Sequence, residues 1–388
     1  MLFLNKVFNK YVYLGCAMQN SNSVIIIGGG LAGLISAIHL AKHGAKVILF
    51  EKNNYPKHKV CGEYISNEVL GYLNFLNLDV SSLQPVAISK LSFSLESGKE
   101  ITTNLPMGGF GISRFTLDYY LYKVALSYGC EIKKETVLKV DFCNSKFLIT
   151  TNCDTYESEI TIGAFGKRSG LDVTMNRAFI KKKSNSLGVK AHYIVKYPDD
   201  LVGLHHFSGG YCGVSKVENN LINICYLTNY ESFKKFKSID EFQEKILFKN
   251  PHLQQIFKNA TIQFDKPLTI SQVSFAEKES LYNHILMIGD TAGLIHPLCG
   301  NGMAMAIHSA KLASENILNF LNGKINRKQM EDNYKKQWNY NFKKRLQMGR
   351  MLSFLLQKKH LANIVLQAIT IFPFLLPIII KKTHGKPI

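Results

Sequence analysis

A glycine-rich turn near the start of the chain constrains the fold more than any other feature of the sequence. Ser23 to Ile27 predicts a short buried strand, the six residues Gly28-Gly29-Gly30-Leu31-Ala32-Gly33 follow at once, and Leu34 to His43 has helical periodicity. Gly44 ends this helix, and Lys46 to Phe50 predicts the next strand. This order of a strand, a glycine-rich turn, a helix and a second strand is typical of the doubly wound α/β fold that binds dinucleotides.

Each part of the turn has a physical role in holding a dinucleotide. Gly28 allows the tight turn, Gly30 lets the backbone approach a pyrophosphate, and Gly33 lets the helix pack closely on the strand. The free N–H groups at the helix start, together with the helix dipole, favour phosphate binding there. Glu51 follows Gly28 by 23 residues, where an acid is expected to bind the adenosine ribose hydroxyls. The turn alone fits NAD, NADP or FAD.

A second glycine-rich segment lies far along the chain and ends at Gly302. Ile285 to Ile288 predicts a buried strand that places Asp290 at the edge of the sheet, where its carboxylate can accept hydrogen bonds from sugar hydroxyls. Pro297 stiffens the following loop, and Gly300 and Gly302 open the next helix with bare backbone. A helix start at this point would stabilise negative charge on a reduced flavin. This segment therefore favours FAD over the nicotinamide dinucleotides.

Together these segments resemble the p-hydroxybenzoate hydroxylase-like superfamily of FAD-dependent oxidoreductases. Lys59-Val60-Cys61-Gly62-Glu63 is similar to the K-x-C-G segment of its geranylgeranyl reductase-like branch. The resemblance implies that Asp290 binds the ribityl chain, that the Cys61 segment passes beside the isoalloxazine ring, and that Arg114 lies near the flavin. It also implies an α/β fold (α+β, two domains), with a Rossmann-like FAD-binding domain, an interleaved antiparallel-sheet substrate domain and a helical C-terminal region.

The motifs and the resemblance give a set of candidate site residues. Those expected to bind the cofactor are Gly28, Gly30, Leu31, Ala32, Gly33, Glu51, Lys52, Lys59, Cys61, Gly62, Arg114, Gly289, Asp290, Pro297, Gly300, Asn301, Gly302 and Met303. Cys61 is also the candidate catalytic residue, with a buried structural thiol as an equal alternative. His205 and Tyr211 are candidates for substrate binding, against the alternative that they are ordinary core or solvent positions. Because no C-x-x-C pair occurs among the eight cysteines, no metal site is expected.

The expected domains alternate along the chain. Residues 1–22 form an extension outside the fold, and translation from Met18 would remove most of it. Residues 23–85, 108–175 and 280–322 are expected to form the FAD-binding domain, and residues 86–107 and 176–279 the substrate domain. Leu187 to Leu227 alternates short apolar and polar stretches around turns, which predicts an antiparallel meander. Residues 323–388 form the basic and apolar helical C-terminal region.

Two departures from the superfamily bear on the reaction. The hydroxylases have an Asp-Gly motif linked to FAD and nicotinamide binding, but Phe165 stands at the aspartate position of this chain, before Gly166. That difference weakens the case for a hydroxylase that uses a nicotinamide. The flavin halogenases carry a tryptophan-containing motif in mid-chain, whereas the only tryptophan here is Trp338. Halogenation is therefore not favoured.

The charge and the C-terminal region bear on partners. A net charge of +19 suits an anionic membrane surface, an acidic ligand or a nucleic acid, although lysine-rich composition bias explains part of it, and no nucleic-acid partner is expected. From Leu361 to Ile380 the chain carries no charge, and lysine pairs flank this run. The run predicts peripheral membrane attachment, a helix over the substrate cavity or, less favoured because two prolines interrupt it, a membrane span. The expected location is the cytoplasm, with the inner face of the membrane as the alternative.

Three functions remain open at this point. The favoured one is reduction of carbon–carbon double bonds in an isoprenoid-type or other long apolar substrate, by hydride from N5 of the flavin. The first alternative is a monooxygenase that hydroxylates a lipophilic aromatic compound with NAD(P)H and oxygen. The second is a membrane-associated electron carrier to quinone. Electrons would come from NAD(P)H or from another external donor, such as a separate reductase or ferredoxin.

Overall fold

The structure, a computed structural model, describes residues 23–182, 184–357, 367–369, 371–372 and 374–388. The predicted N-terminal extension, residues 1–22, and much of the uncharged run from Leu361 to Ile380 lie outside the described residues.

The elements of the described residues follow the chain in this order. The strands are β1 (Ser23–Ile27), β2 (Lys46–Phe50), β3 (Tyr64–Ser66), β4 (Val86–Ser94), β5 (Glu100–Gly111), β6 (Glu131–Lys133), β7 (Val137–Cys143), β8 (Lys146–Thr151), β9 (Thr155–Ser158), β10 (Ile160–Gly163), β11 (Ser186–Ile194), β12 (Leu201–Phe207), β13 (Gly210–Lys216), β14 (Ile222–Asn229), β15 (Thr261–Ile262), β16 (Leu268–Ser271), β17 (Leu281–Tyr282) and β18 (Ile285–Met287). The α-helices are α1 (Leu31–Lys42), α2 (Leu70–Phe75), α3 (Arg114–Ser127), α4 (Gly170–Thr174), α5 (Tyr230–Phe233), α6 (Ile239–Lys245), α7 (Pro251–Lys258), α8 (Gly302–Leu321), α9 (Arg327–Gln357) and α10 (Leu375–Thr383).

The first sheet carries the nucleotide-binding topology. Within the described residues it has six strands in the order β17-β18-β10-β1-β2-β6, all parallel to their neighbours except β17. All five residues of β1 are buried, as expected for a central parallel strand covered on both faces. Helix α1 packs against α3 and α8, so the two glycine-rich segments open neighbouring helices. The predicted Rossmann-like unit is confirmed.

The second sheet is larger and mainly antiparallel. In the described part of the chain its strands run β15-β11-β14-β13-β12-β4-β5-β3, with β16 paired to β11. The meander predicted between Leu187 and Leu227 is present as β11 to β14, and β4 joins it through a parallel pairing with β12. A separate antiparallel sheet of β7, β8 and β9 follows α3 along the chain.

The C-terminal helices cover the junction between these two units. Helix α9 packs along α8, and α10 packs against both α9 and β5. On α10, Leu376 and Ile380 are buried, whereas Ile378 is exposed. Among the described residues, none of the helices has both the length and the apolar composition needed to cross a bilayer.

Candidate flavin site and adjoining cavity

The first glycine turn is held so tightly that two of its positions accept no side chain. Gly28 has a φ of +109°, and a Cβ built on it would lie 2.3 Å from the carbonyl oxygen of Ala164. A Cβ on Gly33 would lie 2.0 Å from the carbonyl oxygen of Gly28. These contacts join β1, α1 and β10, so Gly28 and Gly33 are required by the packing of the protein itself.

Gly30 differs, because the space beside it is bounded by cations. The nearest atoms to a Cβ built there are Nη2 of Arg114 and Nζ of Lys59, both at 3.7 Å. Gly30 lies immediately before the first turn of α1, where the backbone N–H groups point outward. A space at a helix start, lined by a guanidinium and an ammonium, is a cradle that fits a pyrophosphate.

The two cations are themselves anchored by one buried carboxylate. Asp118 accepts from Nε and Nη2 of Arg114 at 2.7 Å each, and Nζ of Lys59 lies 3.1 Å from it. Burial alone would lower the pKa of Arg114, but Asp118 raises it above its ordinary value, with smaller contributions from Cys61 and Asp290. Arg114 is therefore a fixed cation, and these interactions place it close to both Cys61 and Asp290.

Glu51 has the position predicted for a ribose-binding acid. Its Oε2 accepts from the backbone N–H of Gly29 at 3.0 Å, and its Oε1 accepts from the backbone and side-chain nitrogens of Asn53 at 2.9 and 2.6 Å. Tyr55 donates its hydroxyl to the Gly29 carbonyl. The carboxylate is thus fixed at the end of β2, beside the glycine turn, whereas Lys52 next to it is exposed.

The second glycine segment meets the first at the start of α8. Gly289 follows β18 with a φ of +58°, and a Cβ on it would lie 3.0 Å from the Cβ of Ala32 and 3.6 Å from that of Ala306. Ala32 belongs to the first turn of α1 and Ala306 to α8. Asp290 follows at the strand end, where its carbonyl accepts from Nζ of Lys278 at 2.8 Å. Two glycine-lined helix starts, far apart in sequence, therefore converge.

The other predicted cofactor residues lie around this junction. Leu31 and Met303 are buried in the first turns of α1 and α8. Gly300 has a φ of +62°, and the fully buried Asn301 precedes Gly302, the first residue of α8. The structure thus brings the predicted set together at one place, apart from Lys52 at the surface.

Comparison with known proteins agrees with this geometry. A sequence model of the family described as FAD dependent oxidoreductase matches residues 23–60. The conditioned medium factor receptor 1 of Dictyostelium discoideum is 24% identical over 380 residues, which cover 86% of this chain and 71% of that protein. A digeranylgeranylglycerophospholipid reductase of Methanosarcina mazei is 24% identical over 339 residues, covering 83% of this chain and 81% of that protein.

A solved flavin-dependent brominase has the same fold, with a TM-score of 0.75 and 17% identity over 94% of this chain and 93% of that one. This chain is an FAD-dependent oxidoreductase. The resemblance to the geranylgeranyl reductase-like branch of the superfamily is confirmed.

The predicted FAD cradle consists of the glycine-lined starts of α1 and α8 with Glu51 and Arg114. Beside it the oxidoreductase has an apolar cavity. Its empty volume is about 1110 Å³, including space open to solvent. Gly62 of the K-x-C-G segment and Gly300 of the second glycine segment both line it. Aliphatic and aromatic side chains from the second sheet and from the C-terminal helices form the other walls, among them Leu91, Phe93, Leu204, Leu352, Leu376 and Ile380. The described part of the 361–380 run therefore forms part of a cavity wall.

The two candidate substrate residues lie on opposite faces of the second sheet. Tyr211 lines the cavity, and its strand partner is His206. His205 pairs with Cys212, and its Nδ1 is 2.8 Å from Oγ of Ser94. Cross-strand partners share a face, so His205 points away from the cavity that Tyr211 lines. Only Tyr211 is placed to contact a ligand there.

A buried ionic cluster behind Cys61 was missed by the sequence analysis. Glu63 is fully buried, and its Oε1 lies 2.5 Å from Nζ of Lys190 and accepts from the backbone N–H of Arg114 at 2.8 Å. Its Oε2 is 2.7 Å from Nε2 of His192. Burial would raise the pKa of Glu63, but Lys190 and His192 hold it below its ordinary value. The cluster ties β11 to the start of α3, and only the match to the K-x-C-G segment could have drawn attention to Glu63.

Proposed function

We propose that this oxidoreductase reduces carbon–carbon double bonds in an isoprenoid-type or similar long apolar compound. The observation that carries the proposal is the apolar cavity lined by Gly62 and Gly300, since both glycines belong to segments assigned to the flavin. Burial of an apolar chain is favourable by about 25 cal/mol per Å². A wall of aliphatic side chains therefore suits a prenyl chain better than a polar substrate. The sequence similarity to the digeranylgeranylglycerophospholipid reductase from Methanosarcina mazei supports this substrate class.

In such a reaction the protein would bind the flavin and the substrate, orient the double bond, and supply the proton. Bound FAD supplies a hydride from its N5 atom. One alkene carbon would receive this hydride and the other a proton, and one NAD(P)H or two molecules of reduced ferredoxin would restore the two electrons. A long apolar substrate filling the cavity would displace water from its apolar walls, so the proton would come from a side chain or an ordered water.

Cys61 is our proposed proton donor. It precedes Gly62 in the cavity wall, its carbonyl accepts from Nδ2 of Asn223 at 3.2 Å, and its Sγ accepts from the Glu63 N–H at 3.5 Å. The thiols of two other residues line the cavity, and burial raises the pKa of Cys225 and of Cys299 to about 12 each. Thiols with so high a pKa are weak acids, so we assign these two to packing.

The segment around Phe165 supports a reductase over a nicotinamide-using monooxygenase. Phe165 is half-buried and packs against the core at the end of β10. The next residue, Gly166, donates its N–H to Oγ1 of Thr291 at 2.7 Å. This strand end therefore presents an aromatic ring where the hydroxylases have a carboxylate. Trp338, the only tryptophan of the sequence, packs against Phe342 within α9, so the mid-chain tryptophan of the halogenases has no counterpart here and halogenation stays disfavoured.

The membrane surface is our proposed source of the substrate. Phe374 and Ile378 are exposed beside the cavity wall, and Lys381 and Lys382 are exposed at the end of α10. Apolar side chains next to lysines suit an anionic lipid surface. Sedimentation with vesicles of phosphatidylglycerol should carry the protein down, and the double variant Phe374→Ser/Ile378→Ser should reduce this binding. Equal sedimentation of both proteins would argue against the surface.

One anaerobic experiment tests the reaction type. The purified FAD-loaded protein is reduced with NADPH, NADH or reduced ferredoxin, and geranylgeranyl compounds are then added without oxygen. We expect flavin reoxidation together with a product two hydrogens heavier per reduced double bond. Reoxidation only by oxygen, with hydroxylation of an added lipophilic aromatic compound, would overturn the proposal in favour of the monooxygenase. Reoxidation only by quinone would favour the electron carrier.

A further inference from the structure

The helix α10 and the residues after it form one wall of the cavity. Leu376, Ile380, Thr383 and His384 line the cavity together with residues from the strands of the second sheet. The same helix exposes Ile378 to solvent. The wall is therefore one helix thick, and its position decides how well the cavity is closed.

A single buried carboxylate holds the end of this wall. Glu68 is fully buried, and its Oε2 accepts from the backbone N–H of Gly385 at 2.7 Å. Its backbone carbonyl accepts from the N–H of Ile388 at 2.9 Å. A Cβ built on Gly385 would lie 2.4 Å from Nη2 of Arg345 and 2.7 Å from Oε1 of Glu68. A side chain at residue 385 would therefore displace the Arg345 guanidinium or the Glu68 carboxylate.

The same carboxylate also contacts α9 and the start of α8. Oε1 of Glu68 lies 3.2 Å from Nη1 of Arg345, which is on α9. Oε2 of Glu68 accepts from Nδ2 of Asn301 at 3.0 Å, and Oδ1 of Asn301 is 3.4 Å from Nη1 of Arg345. Asn301 is fully buried between Gly300 and Gly302, at the helix start assigned to the flavin. One charge therefore joins the cavity wall, α9 and the flavin helix.

We propose that Glu68 is a positioning residue that fixes the 375–388 wall relative to the start of α8. The contacts of Glu68 give the wall and the flavin helix one common anchor, so the cavity keeps a constant shape beside the flavin. Loss of the anchor releases the wall and loosens the helix start together. The identity of the ligand in the cavity rests on the function proposed above, whereas the anchor itself does not.

Two variants break the anchor in different ways, and one serves as a control. Glu68→Gln removes the charge that pairs with Arg345, leaving a buried cation without its partner. Gly385→Ala inserts a methyl group between Arg345 and Glu68 without changing either. Lys386→Gln alters an exposed neighbour of the same segment. Because Gly385→Ala leaves the ion pair's own residues in place, it keeps the test open if Glu68→Gln fails to fold.

Amide hydrogen exchange on the FAD-loaded protein tests the proposal without any substrate. In both anchor variants we expect the amides of residues 385 and 388 to exchange about 10-fold faster or more. The amide of residue 385 is separated from the carboxylate it donates to, and the amide of Ile388, whose acceptor is the backbone carbonyl of Glu68, is released when the wall moves away. The amide of Met305, which donates to the Asn301 carbonyl at 3.0 Å, should also exchange faster, and the visible absorption of the bound flavin should shift. Lys386→Gln should match the parent protein in all three readouts.

Faster exchange at Gly385 with no change at Met305 or in the flavin spectrum would overturn the proposal, because the anchor would then hold only the wall. Unchanged exchange throughout would overturn it as well. If the parent protein reduces geranylgeranyl compounds, the variants should raise KM more than they lower kcat. If the parent protein does not, the proposed function fails, while exchange and flavin absorption still decide the role of Glu68.

Discussion

The FAD cradle and the apolar cavity lie side by side but are built on different principles. The cradle depends on particular atoms: bare backbone at Gly28 and Gly30, a carboxylate at Glu51 and a fixed guanidinium at Arg114. The cavity depends on a volume enclosed by aliphatic side chains from strands and helices scattered along the chain. A site that needs particular atoms restricts the residue type at each position. A site that needs only a shape restricts the combined volume of the side chains that line it.

Substitution of Gly30 should give the largest effect that tests this difference between the cradle and the cavity. The Cβ of Gly30→Val would meet no protein atom closer than 3.7 Å, so we expect the fold to survive, while the valine side chain fills the pyrophosphate space. We expect FAD affinity to fall by about 100-fold or more, since phosphate binding at a helix start requires close backbone approach. The measurement is flavin titration of the apoprotein, followed by fluorescence.

Two other glycines provide matched controls. Gly33→Ala places its Cβ 2.0 Å from the Gly28 carbonyl oxygen and should destabilise the protein itself, which thermal unfolding would show. Gly170→Ala adds a methyl group in open space at the start of α4 and should change neither property. If Gly30→Val unfolded the protein as Gly33→Ala is expected to do, Gly30 would be a packing position and the cradle would be misplaced.

The same contrast explains what the sequence could predict. The turn at Gly28, the acid at Glu51 and the strand end at Asp290 stand in short motifs, and the structure brings them together. Glu68 and Glu63 could not be predicted, because their partners lie far away in sequence and a buried carboxylate looks like any surface acid. His205 and Tyr211 show the limit within a hairpin: their faces depend on the strand register, which a turn between them sets.

The cavity should respond to volume rather than to chemistry. Leu376→Trp adds bulk to a side chain that lines the cavity, whereas Met351→Trp, at an exposed position of α9, places the same bulk in solvent. For a geranylgeranyl substrate we expect Leu376→Trp to lower kcat/KM by about 50-fold, because overpacking a well-filled site costs a few kcal/mol. Anaerobic stopped-flow reoxidation measures this, while FAD binding should not change. An equal loss in both variants would place the substrate elsewhere.

A smaller effect is expected at the second glycine segment. Asp290→Ala removes a half-buried carboxylate at the end of β18, close to Arg114, but leaves both helix starts intact. We expect FAD affinity to fall by about 10-fold, the value of one hydrogen bond to a charged group. Asp290→Asn should retain part of the affinity, since its amide oxygen still accepts a hydrogen bond. Retention of full affinity by Asp290→Ala would leave the ribityl chain without its predicted partner.

The smallest expected effect is a change in the pH dependence of stability. It comes from His205, on the face of the second sheet that points away from the cavity. Burial lowers the pKa of His205 to about 3, whereas in the unfolded chain it is near the ordinary 6.5. As the pH falls below 6.5, His205 becomes protonated in the unfolded chain but stays neutral in the folded protein. The free energy of unfolding therefore decreases toward acid pH. Between pH 6.5 and 5.5 this loss amounts to about 1 kcal/mol for one such histidine.

His205→Asn should remove that part of the pH dependence, which urea unfolding at the two pH values would measure. Because His205 lies off the cavity, flavin reduction and substrate reoxidation in the variant should keep their rates across the same pH range. A variant that loses activity while keeping the pH dependence of its stability would mean that His205 faces the ligand, and the cavity would then extend through the sheet.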